Sequence, residues 1–399
     1  MADSAGGRSA GPALAARMAN IQPFHVMRLL ARARELERQG RSIVHMEIGE
    51  PDFPTPAAVI RAARQALDAG ATHYTAASGL PELRQAISDH YAQRFGVRVD
   101  PGRILVTPGA SGALQLVMGA LIDRGDEVLL ADPGYPCNRH FVRLAGGTPV
   151  AIAVNGTTRY QLSASLVEAN WSPHARAVMV ATPSNPTGTT IEPGEMEAIG
   201  RTVTQRRGAL IVDEIYQGLI YAGEPSTALA YRDDAFVINS FSKYFGMTGW
   251  RLGWVVAPAG YVDALERLAQ NIFLCAPTLS QHAGLAAFSA EARGELEARR
   301  QELRRRRDLL TAGLRGLGVR FDCEPEGAFY LYGDCSALAA DSFALARDLL
   351  EHAGVAVTPG LDFGDNAPER HLRFAYTTSL SRLEEGVERI RRFLRGEGR

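Results

Sequence analysis

The fold is decided by residues 236–256, which have the sequence FVINSFSKYFGMTGWRLGWVV. Apolar runs at 236–240 and 252–256 predict two strands, and the polar, glycine-containing segment between them predicts a turn. Further short apolar runs lie at 104–107, 127–130, 177–181 and 209–212. Because these runs are continuous rather than alternating, we expect strands that are buried on both faces of a sheet.

The alternation of such strands with helical segments predicts an α/β fold. We expect a large domain in which helices flank a mainly parallel central sheet. A long charged helix near 294–318 changes the pattern, and short strands at 329–332 and 372–375 follow it, so a smaller α+β domain should lie at the C-terminus. The predicted division is a flexible tail over 1–19, a segment over 20–55 that packs with the small domain, the large domain over 56–293 and the small domain over 294–399.

Composition excludes several classes of protein. Apolar residues make up 46% of the chain and charged residues 22%, and the formal net charge is -1. This balance gives no reason to expect a nucleic-acid partner. No apolar run reaches the roughly 20 residues that span a bilayer, so we expect no membrane partner. The four cysteines are scattered without a CxxC pair, which argues against a metal site and favours a reducing cytoplasm.

Polar residues cluster where the predicted strands end. In open α/β sheets, ligands bind at the carboxyl ends of the strands, so these residues should converge on one crevice. The segments concerned are 109–112, Tyr135, 184–188, 213–216 and 240–243.

The first of these segments, GASG at 109–112, precedes a helix and suits a phosphate, because free N–H groups and the helix dipole meet there. Ser240 and Ser242 add hydroxyl groups, and Arg251 adds a guanidinium that can bind phosphate through two nitrogens. The segment is neither GxGxxG nor a Walker loop, so dinucleotides and nucleoside triphosphates are poorly supported.

Lys243 and Asp213 allow two interpretations each. Lys243 follows a buried strand among aromatic residues, which fits either an ordinary lysine at a strand end or a nucleophile whose pKa is lowered by burial and by Arg251. Asp213 ends another strand, which fits either a turn cap or a buried carboxylate that needs a cationic partner. A protonated pyridine nitrogen would be such a partner.

Several motifs together resemble one family. The segments SNPTG at 184–188, DEIY at 213–216, SFSK at 240–243 and GWRLG at 249–253 are similar to those of class I/II aminotransferases, which are fold-type-I pyridoxal-phosphate enzymes. The segments GEPDF at 49–53, HYT at 73–75 and GLPELR at 79–84, with Arg373 in LRFA, extend the resemblance from about residue 20 to the end of the chain.

The resemblance implies that the cofactor is pyridoxal 5'-phosphate and that Lys243 holds it as a Schiff base and later shuttles the proton. It implies that Asp213 keeps the pyridine nitrogen protonated and that Tyr135 stacks on the ring. Asn185 and Tyr216 would bind the ring hydroxyl oxygen. The phosphate would be bound by the N–H groups of Ala110 and Ser111 and by Ser240, Ser242 and Arg251.

The resemblance also implies how substrate and partner are bound. Gly49, Asn185 and Arg373 would hold the substrate α-carboxylate. Tyr74 matches a tyrosine that reaches the phosphate of the neighbouring subunit, which implies a homodimer with active sites at its interface.

The implied reaction is transfer of the amino group of an α-amino acid to a 2-oxo acid by a ping-pong mechanism. Carbon–sulfur lyases and a cyclopropane-forming synthase share this fold and lysine, so they stay open as alternatives. The amino donor is also open. A second arginine for a distal carboxylate could be Arg28 or Arg139, and no motif favours either.

Overall fold

The computed structural model of the protein describes residues 13–23 and 25–397. Its helices are α1 (His25–Arg38), α2 (Ala57–Asp68), α3 (Pro81–Phe95), α4 (Gly109–Leu121), α5 (Pro136–Ala145), α6 (Ala164–Ala169), α7 (Pro193–Gln205), α8 (Val262–Ile272), α9 (Thr278–Ala286), α10 (Ala290–Arg315), α11 (Ser342–Asp348) and α12 (Leu380–Leu394). Its strands are β1 (Val44–His45), β2 (Ile104–Thr107), β3 (Glu127–Asp132), β4 (Thr148–Ala153), β5 (Ala175–Ala181), β6 (Ala209–Asp213), β7 (Phe236–Ser240), β8 (Gly253–Val256), β9 (Tyr330–Asp334), β10 (Val355–Ala356), β11 (Thr358–Pro359) and β12 (His371–Ala375).

The central sheet has seven strands in the order β2-β8-β7-β6-β5-β3-β4 among the described residues. Strand β8 runs antiparallel to both of its neighbours, and the other pairs are parallel. The predicted α/β class and mainly parallel sheet are therefore confirmed. Because β5, β6 and β7 point the same way, Ala181, Asp213 and Ser240 end at the same edge of the sheet.

Both faces of this sheet are covered, which explains the continuous apolar runs. Successive residues of β6 alternate between two apolar clusters, with Ile211 packed in one and Val212 in the other. Val255 and Trp254 of β8 divide in the same way, and all four side chains are fully buried. A strand between two helical layers cannot place a polar side chain on either face without a hydrogen-bond partner.

The ends of the chain meet beside this sheet. Strand β1 pairs with β10 in parallel, and β9, β11 and β12 form a separate antiparallel sheet. Helix α10 runs without a break through residues 293 and 294, where we predicted the domain boundary. It begins earlier than expected because the hydroxyl of Ser289 accepts a hydrogen bond from the N–H of Ala292 and caps it. The domain division itself stays a prediction.

Several elements near the N-terminus differ from the sequence-based expectation. The sequence pattern predicts a helix over 21–39 and a strand over 44–48. In the structure the helix begins at His25, and the strand is limited to two residues. Of the tail predicted over 1–19, residues 1–12 lie outside the described residues, and a 3-10 turn occupies Ala16–Asn20. Edge strand β4 was not predicted, because Pro149 interrupts its apolar pattern. None of the described helices is long and apolar enough to cross a membrane.

Candidate active site

A cavity of about 370 Å³ lies at the carboxyl ends of β5, β6 and β7, between the central sheet, α1 and the C-terminal sheet. Every site residue that the sequence predicted lines it, with the exception of Tyr74. They come from widely separated segments, namely Gly49, Ala110, Ser111, Tyr135, Asn185, Asp213, Tyr216, Ser240, Ser242, Lys243, Arg251 and Arg373. The strand ends therefore converge as expected, while the role of each residue stays a prediction.

Lys243 lies in the turn that follows β7, and its Nζ donates a hydrogen bond to the carbonyl oxygen of Gly49 at 2.8 Å. The pKa of this amine is lowered to about 8, chiefly by burial and in part by the charges of Arg373 and Arg251, while Glu50 and Asp213 oppose the shift. A substantial neutral fraction at neutral pH makes this amine a nucleophile. Lys243 is also the only lysine in the sequence.

Asp213 ends β6 and is almost fully buried, with 6% of its surface exposed. Burial raises the pKa of its carboxyl group to about 6, although the N–H of Ile215 donates to Oδ1 at 3.0 Å and the charge of Lys243 favours ionisation. A cation placed against this carboxylate would offset the cost of burying its charge. The protonated nitrogen of a pyridine ring fits that requirement.

The phosphate corner of the cavity lies where α4 begins. Gly109 has a φ of +72°, and a Cβ built there would lie 2.6 Å from a guanidinium nitrogen of Arg251. A Cβ on Gly253 would lie 2.8 Å from the amide nitrogen of Ala110, so β8 presses directly on the first turn of α4. Glycine at both positions lets the N–H groups of α4 and the Arg251 guanidinium face one small volume, as an anion site needs.

Hydroxyl groups complete this corner. Ser240 Oγ lies 2.9 Å from Ser242 Oγ and 3.1 Å from the carbonyl oxygen of Leu252. Arg251 donates through Nη1 to the carbonyl oxygen of Thr248 at 3.0 Å and lies 3.5 Å from Ser242 Oγ. The donor set is one cation, several hydroxyl groups and a helix N-terminus, which is the chemistry that a phosphate monoester binds.

Arg373, on β12, forms a second anion site. It donates through Nη1 to Asn185 Oδ1 at 3.0 Å and through Nη2 to the backbone oxygen of Glu47 at 2.5 Å. Its guanidinium lies 4.3 Å from the ring centre of Tyr330 and 4.9 Å from that of Phe363. Its buried Nε has no hydrogen-bond partner among the residues that the structure describes. No carboxylate of the described chain forms an ion pair with it, so a buried charge is left for a ligand's carboxylate to neutralise.

Tyr330 is the principal site residue that the sequence did not reveal. Its hydroxyl lies 3.0 Å from that of Tyr216, and both side chains are buried. A Cβ on Gly49 would lie 2.0 Å from the Tyr330 oxygen, so only glycine leaves room for this tyrosine. In the sequence, Tyr330 is one apolar residue of a strand, and nothing there indicates that its hydroxyl faces the cavity.

Three residues that the sequence analysis considered as binding residues do not line this cavity. Tyr74 has 79% of its surface exposed and does not line the cavity. Arg28 is exposed on α1. Arg139 donates through Nη2 to the backbone oxygen of Asp362 at 2.9 Å and lines a second, neighbouring cavity. Within the described residues, no group of three or more histidine, cysteine, aspartate or glutamate side chains could hold a metal ion.

Comparison with known proteins agrees with this geometry. The family model described as aminotransferase class I and II matches residues 41–390. The chain is 39% identical to the valine–pyruvate aminotransferase of Mycobacterium tuberculosis, over 93% of this chain and 96% of that protein. It is 36% identical to the aspartate/prephenate aminotransferase of Thermus thermophilus, over 96% and 98%.

Solved structures are similar over nearly the whole chain. A crystal structure of an aminotransferase from Mycobacterium tuberculosis matches with a TM-score of 0.93 at 38% identity, covering 97% of this chain and all of that one. The aspartate aminotransferase from Thermus thermophilus with maleate matches with a TM-score of 0.90 at 36% identity, covering 96% and 99%.

The lowered pKa of Lys243 predicts unusual reactivity towards amine-directed reagents. In cofactor-free protein, labelling of Lys243 should rise with pH around a midpoint of about 8, because burial disfavours the ammonium form and so leaves the neutral amine at lower pH. Competitive labelling followed by mass spectrometry measures this directly, since no other side chain of the sequence carries an amine. Denatured protein is the control and should titrate near 10.4. A midpoint above 10 in the folded protein would contradict the assignment.

Proposed function

The chain belongs to the class I and II aminotransferases and is a pyridoxal-phosphate-dependent aminotransferase, and from this premise we propose which residues perform the transfer. The carbon–sulfur lyase or synthase alternative is not favoured by these similarities. One observation carries the proposal: the only lysine of the chain lines a cavity that also contains buried Asp213 and buried Arg373, an arginine that forms no ion pair with any acidic side chain of the described residues. These are the groups required for the cofactor's ring and for an amino acid's carboxylate.

The first turn of α4, Ser240, Ser242 and Arg251 bind the phosphate in this proposal, and Lys243 Nζ holds the cofactor covalently. When bound, the cofactor withdraws electrons from the substrate's Cα–H bond. Asp213 makes that withdrawal stronger by placing a carboxylate against the ring nitrogen. Its raised pKa in the free protein reflects burial without a close cation, and the ring nitrogen supplies one.

Lys243 would also serve as the general acid–base group of the transfer. In the free protein the pKa of its amine is lowered to about 8, chiefly by burial, so a neutral fraction that can accept a proton is present near neutral pH. The amine would therefore be suited to taking a proton at the substrate Cα and returning one, as general acid–base catalysis requires. The carbonyl oxygen of Gly49, its partner at 2.8 Å, is suited to orienting the amine during this transfer.

Arg373 binds the substrate α-carboxylate with help from Asn185 and the backbone at Gly49. Asn185 Oδ1 accepts from the Arg373 guanidinium, so the amide nitrogen of Asn185 stays free to donate to a ligand oxygen. The rings of Tyr330 and Phe363 against the guanidinium exclude water from the carboxylate site. Exclusion of water strengthens the ion pair and fixes the position of Cα relative to Lys243.

Tyr216 and Asn185 donate to the ring oxygen, Tyr135 covers the ring, and Tyr330 supports Tyr216. Either hydroxyl of the 3.0 Å Tyr216–Tyr330 pair can be the donor. Donation by Tyr330 would leave the Tyr216 proton for the ring oxygen and strengthen Tyr216 as a donor. Tyr330 also contacts the Arg373 guanidinium, so one side chain connects the two halves of the site. We regard Tyr330 as a positioning residue, because it acts through these neighbours.

We also propose a homodimer in which Tyr74 reaches the phosphate of the neighbouring subunit. The proposal is supported by the 79% exposure of this large side chain, which does not line the cavity of its own chain. The domain division predicted from the sequence and a reducing, cytoplasmic location are part of the proposal. The latter is supported by four free thiols, of which that of Cys335 is buried.

Trapping with borohydride tests the role of Lys243. Reduction of the holoenzyme should join the cofactor to Lys243, and a protease that cleaves after lysine should then fail to cut the denatured chain. Cofactor-free protein treated in the same way should give two fragments, because Lys243 is the only lysine. Prior addition of a substrate amino acid should restore the cut, since the substrate amine displaces the lysine.

The Lys243→Ala variant completes this test. It should retain no added mass after borohydride treatment and should lose turnover, because no amine remains to hold the cofactor or move the proton. An adduct of undiminished yield in this variant would refute the assignment.

Removal of the Tyr330 hydroxyl tests its support of Tyr216. In Tyr330→Phe, the pH midpoint of the visible absorbance of the holoenzyme should rise by up to about one pKa unit, since a net hydrogen bond contributes about 0.5–1.5 kcal/mol. Without the Tyr330 hydroxyl, Tyr216 is a weaker donor to the ring oxygen. That oxygen then holds the proton of the neighbouring Schiff base more tightly, and the midpoint rises. Tyr332→Phe is the matched control, because Tyr332 lies on the same strand, packs on His371 and does not line the cavity. Equal shifts in both variants would rule out a specific role.

Mixing of inactive variants tests the homodimer. Lys243→Ala and Tyr74→Ala should each be impaired at limiting cofactor, and mixed dimers should regain activity at about one quarter of all sites, as random pairing of two subunits gives. The control mixture of Lys243→Ala with Asp213→Ala should stay inactive, because both residues serve the same chain's cavity. Tyr74→Ala mixtures that regain nothing would show that Tyr74 does not act across an interface.

A further inference from the structure

We infer that the substrate side chain is apolar and that the site discriminates against amino acids with a second carboxylate. The inference rests on the proposed function, in which Arg373 binds the α-carboxylate and Lys243 Nζ lies beside the reacting carbon. With these two points occupied, the side chain of the amino acid must enter the remaining part of the cavity. That part is bounded by α1 and by the segment that precedes β12.

Helix α1 presents an apolar face to the cavity. Val26, Met27 and Leu30 line it, and their spacing of one and four residues places them on one side of a helix. The arginines of the same helix, Arg28, Arg32, Arg34 and Arg38, are all exposed. Arg34 follows Leu30 by four residues on the same side of the helix, but it is exposed and does not line the cavity, so the part of α1 at the cavity is apolar.

Asp362 holds this helix in place. Its carboxylate oxygens accept hydrogen bonds from the N–H groups of His25 and Val26, each at 2.8 Å, which satisfies free donors at the start of α1. The next residue, Phe363, is 3% exposed, lines the cavity and lies against the Arg373 guanidinium. Val26, Met27, Leu30 and Phe363 form what we call the apolar wall, which extends from the helix to the carboxylate site.

The described residues of one chain supply the cavity with no cation that is left for a second carboxylate. Among the described lining residues the cations are Lys243, Arg251 and Arg373, and the proposal assigns each of them to the cofactor or to the α-carboxylate. Two of the acids that line the cavity already have hydrogen-bond partners. Asp362 accepts from the start of α1, and Glu50 accepts from the hydroxyl of Thr248. A distal carboxylate would lie against the apolar wall without a partner, which is unfavourable.

The two arginines outside the cavity do not change this balance. Arg28 is exposed on the far side of α1, and Arg139 is bonded to the backbone of Asp362 and lines the neighbouring cavity. Because a ping-pong enzyme binds both acids at one site, the 2-oxo acid acceptor is subject to the same selection. We therefore assign both substrates to the class of monocarboxylic acids with aliphatic or thioether side chains.

A half-reaction panel tests the inference. The holoenzyme is mixed with L-valine, L-leucine, L-methionine, L-aspartate and L-glutamate, and conversion of the cofactor to its amine form is followed by absorbance. We expect the second-order rate constants of the three apolar amino acids to exceed those of the two acidic ones by at least about 100-fold. Faster reaction with aspartate or glutamate would overturn the apolar assignment while leaving aminotransfer intact. Failure of every amino acid, in protein whose cofactor is trapped on Lys243, would instead refute the proposed function and with it this inference.

Two variants localise the selection. Leu30→Ala should lower the rate constant for L-leucine about 10-fold or more relative to that for L-alanine, because methylene contacts on the apolar wall are lost. Arg28→Ala, on the exposed face of the same helix, should leave the ratio of leucine to glutamate unchanged. A selective loss of glutamate or aspartate turnover in Arg28→Ala would assign the distal carboxylate to that arginine and overturn the inference.

Discussion

Burial of the Lys243 amine between two arginines and an aspartate is the constraint on which the site depends. Desolvation and the charges of Arg373 and Arg251 lower its pKa to about 8, and Asp213 and Glu50 oppose them. Neither effect would exist in a turn exposed to solvent, where a lysine amine stays protonated near neutral pH. The reactivity of this residue therefore follows from where the turn after β7 is held rather than from the lysine itself.

That position is determined by close packing around small residues. Gly253 lets β8 touch the first turn of α4, and Gly109 leaves room for the Arg251 guanidinium. Gly49 does the same for the hydroxyl of Tyr330, which lies within hydrogen-bond distance of Tyr216. Each contact brings a charged or hydroxyl group close to a backbone, and a side chain at any of these glycines would move a group by more than the tolerance of catalysis.

Opposite ends of the chain contribute the two halves of the substrate pocket. Helix α1 supplies the apolar wall, β12 supplies Arg373, and the pairing of β1 with β10 holds the N-terminal segment against the C-terminal sheet. Asp362 makes this contact specific, because its carboxylate caps α1 from a loop next to Phe363. The contact that holds α1 in place therefore also forms one side of the cavity.

The sequence by itself determined the α/β class, the positions of the main strands along the chain and the polar groups that line the cavity where those strands end. It could do so because continuous apolar runs indicate strands buried on both faces, and because the polar groups after β5, β6 and β7 must meet where parallel strands end. Only the tertiary structure revealed the position of Tyr330 in the cavity, the apolar wall and the exposure of Arg28. The Tyr216–Tyr330 and Asn185–Arg373 contacts join residues 114 and 188 positions apart, and no local pattern encodes a contact between side chains that distant. Apolar residues on a helix or a strand look alike in sequence whether they face a core or a substrate, and only packing distinguishes the two.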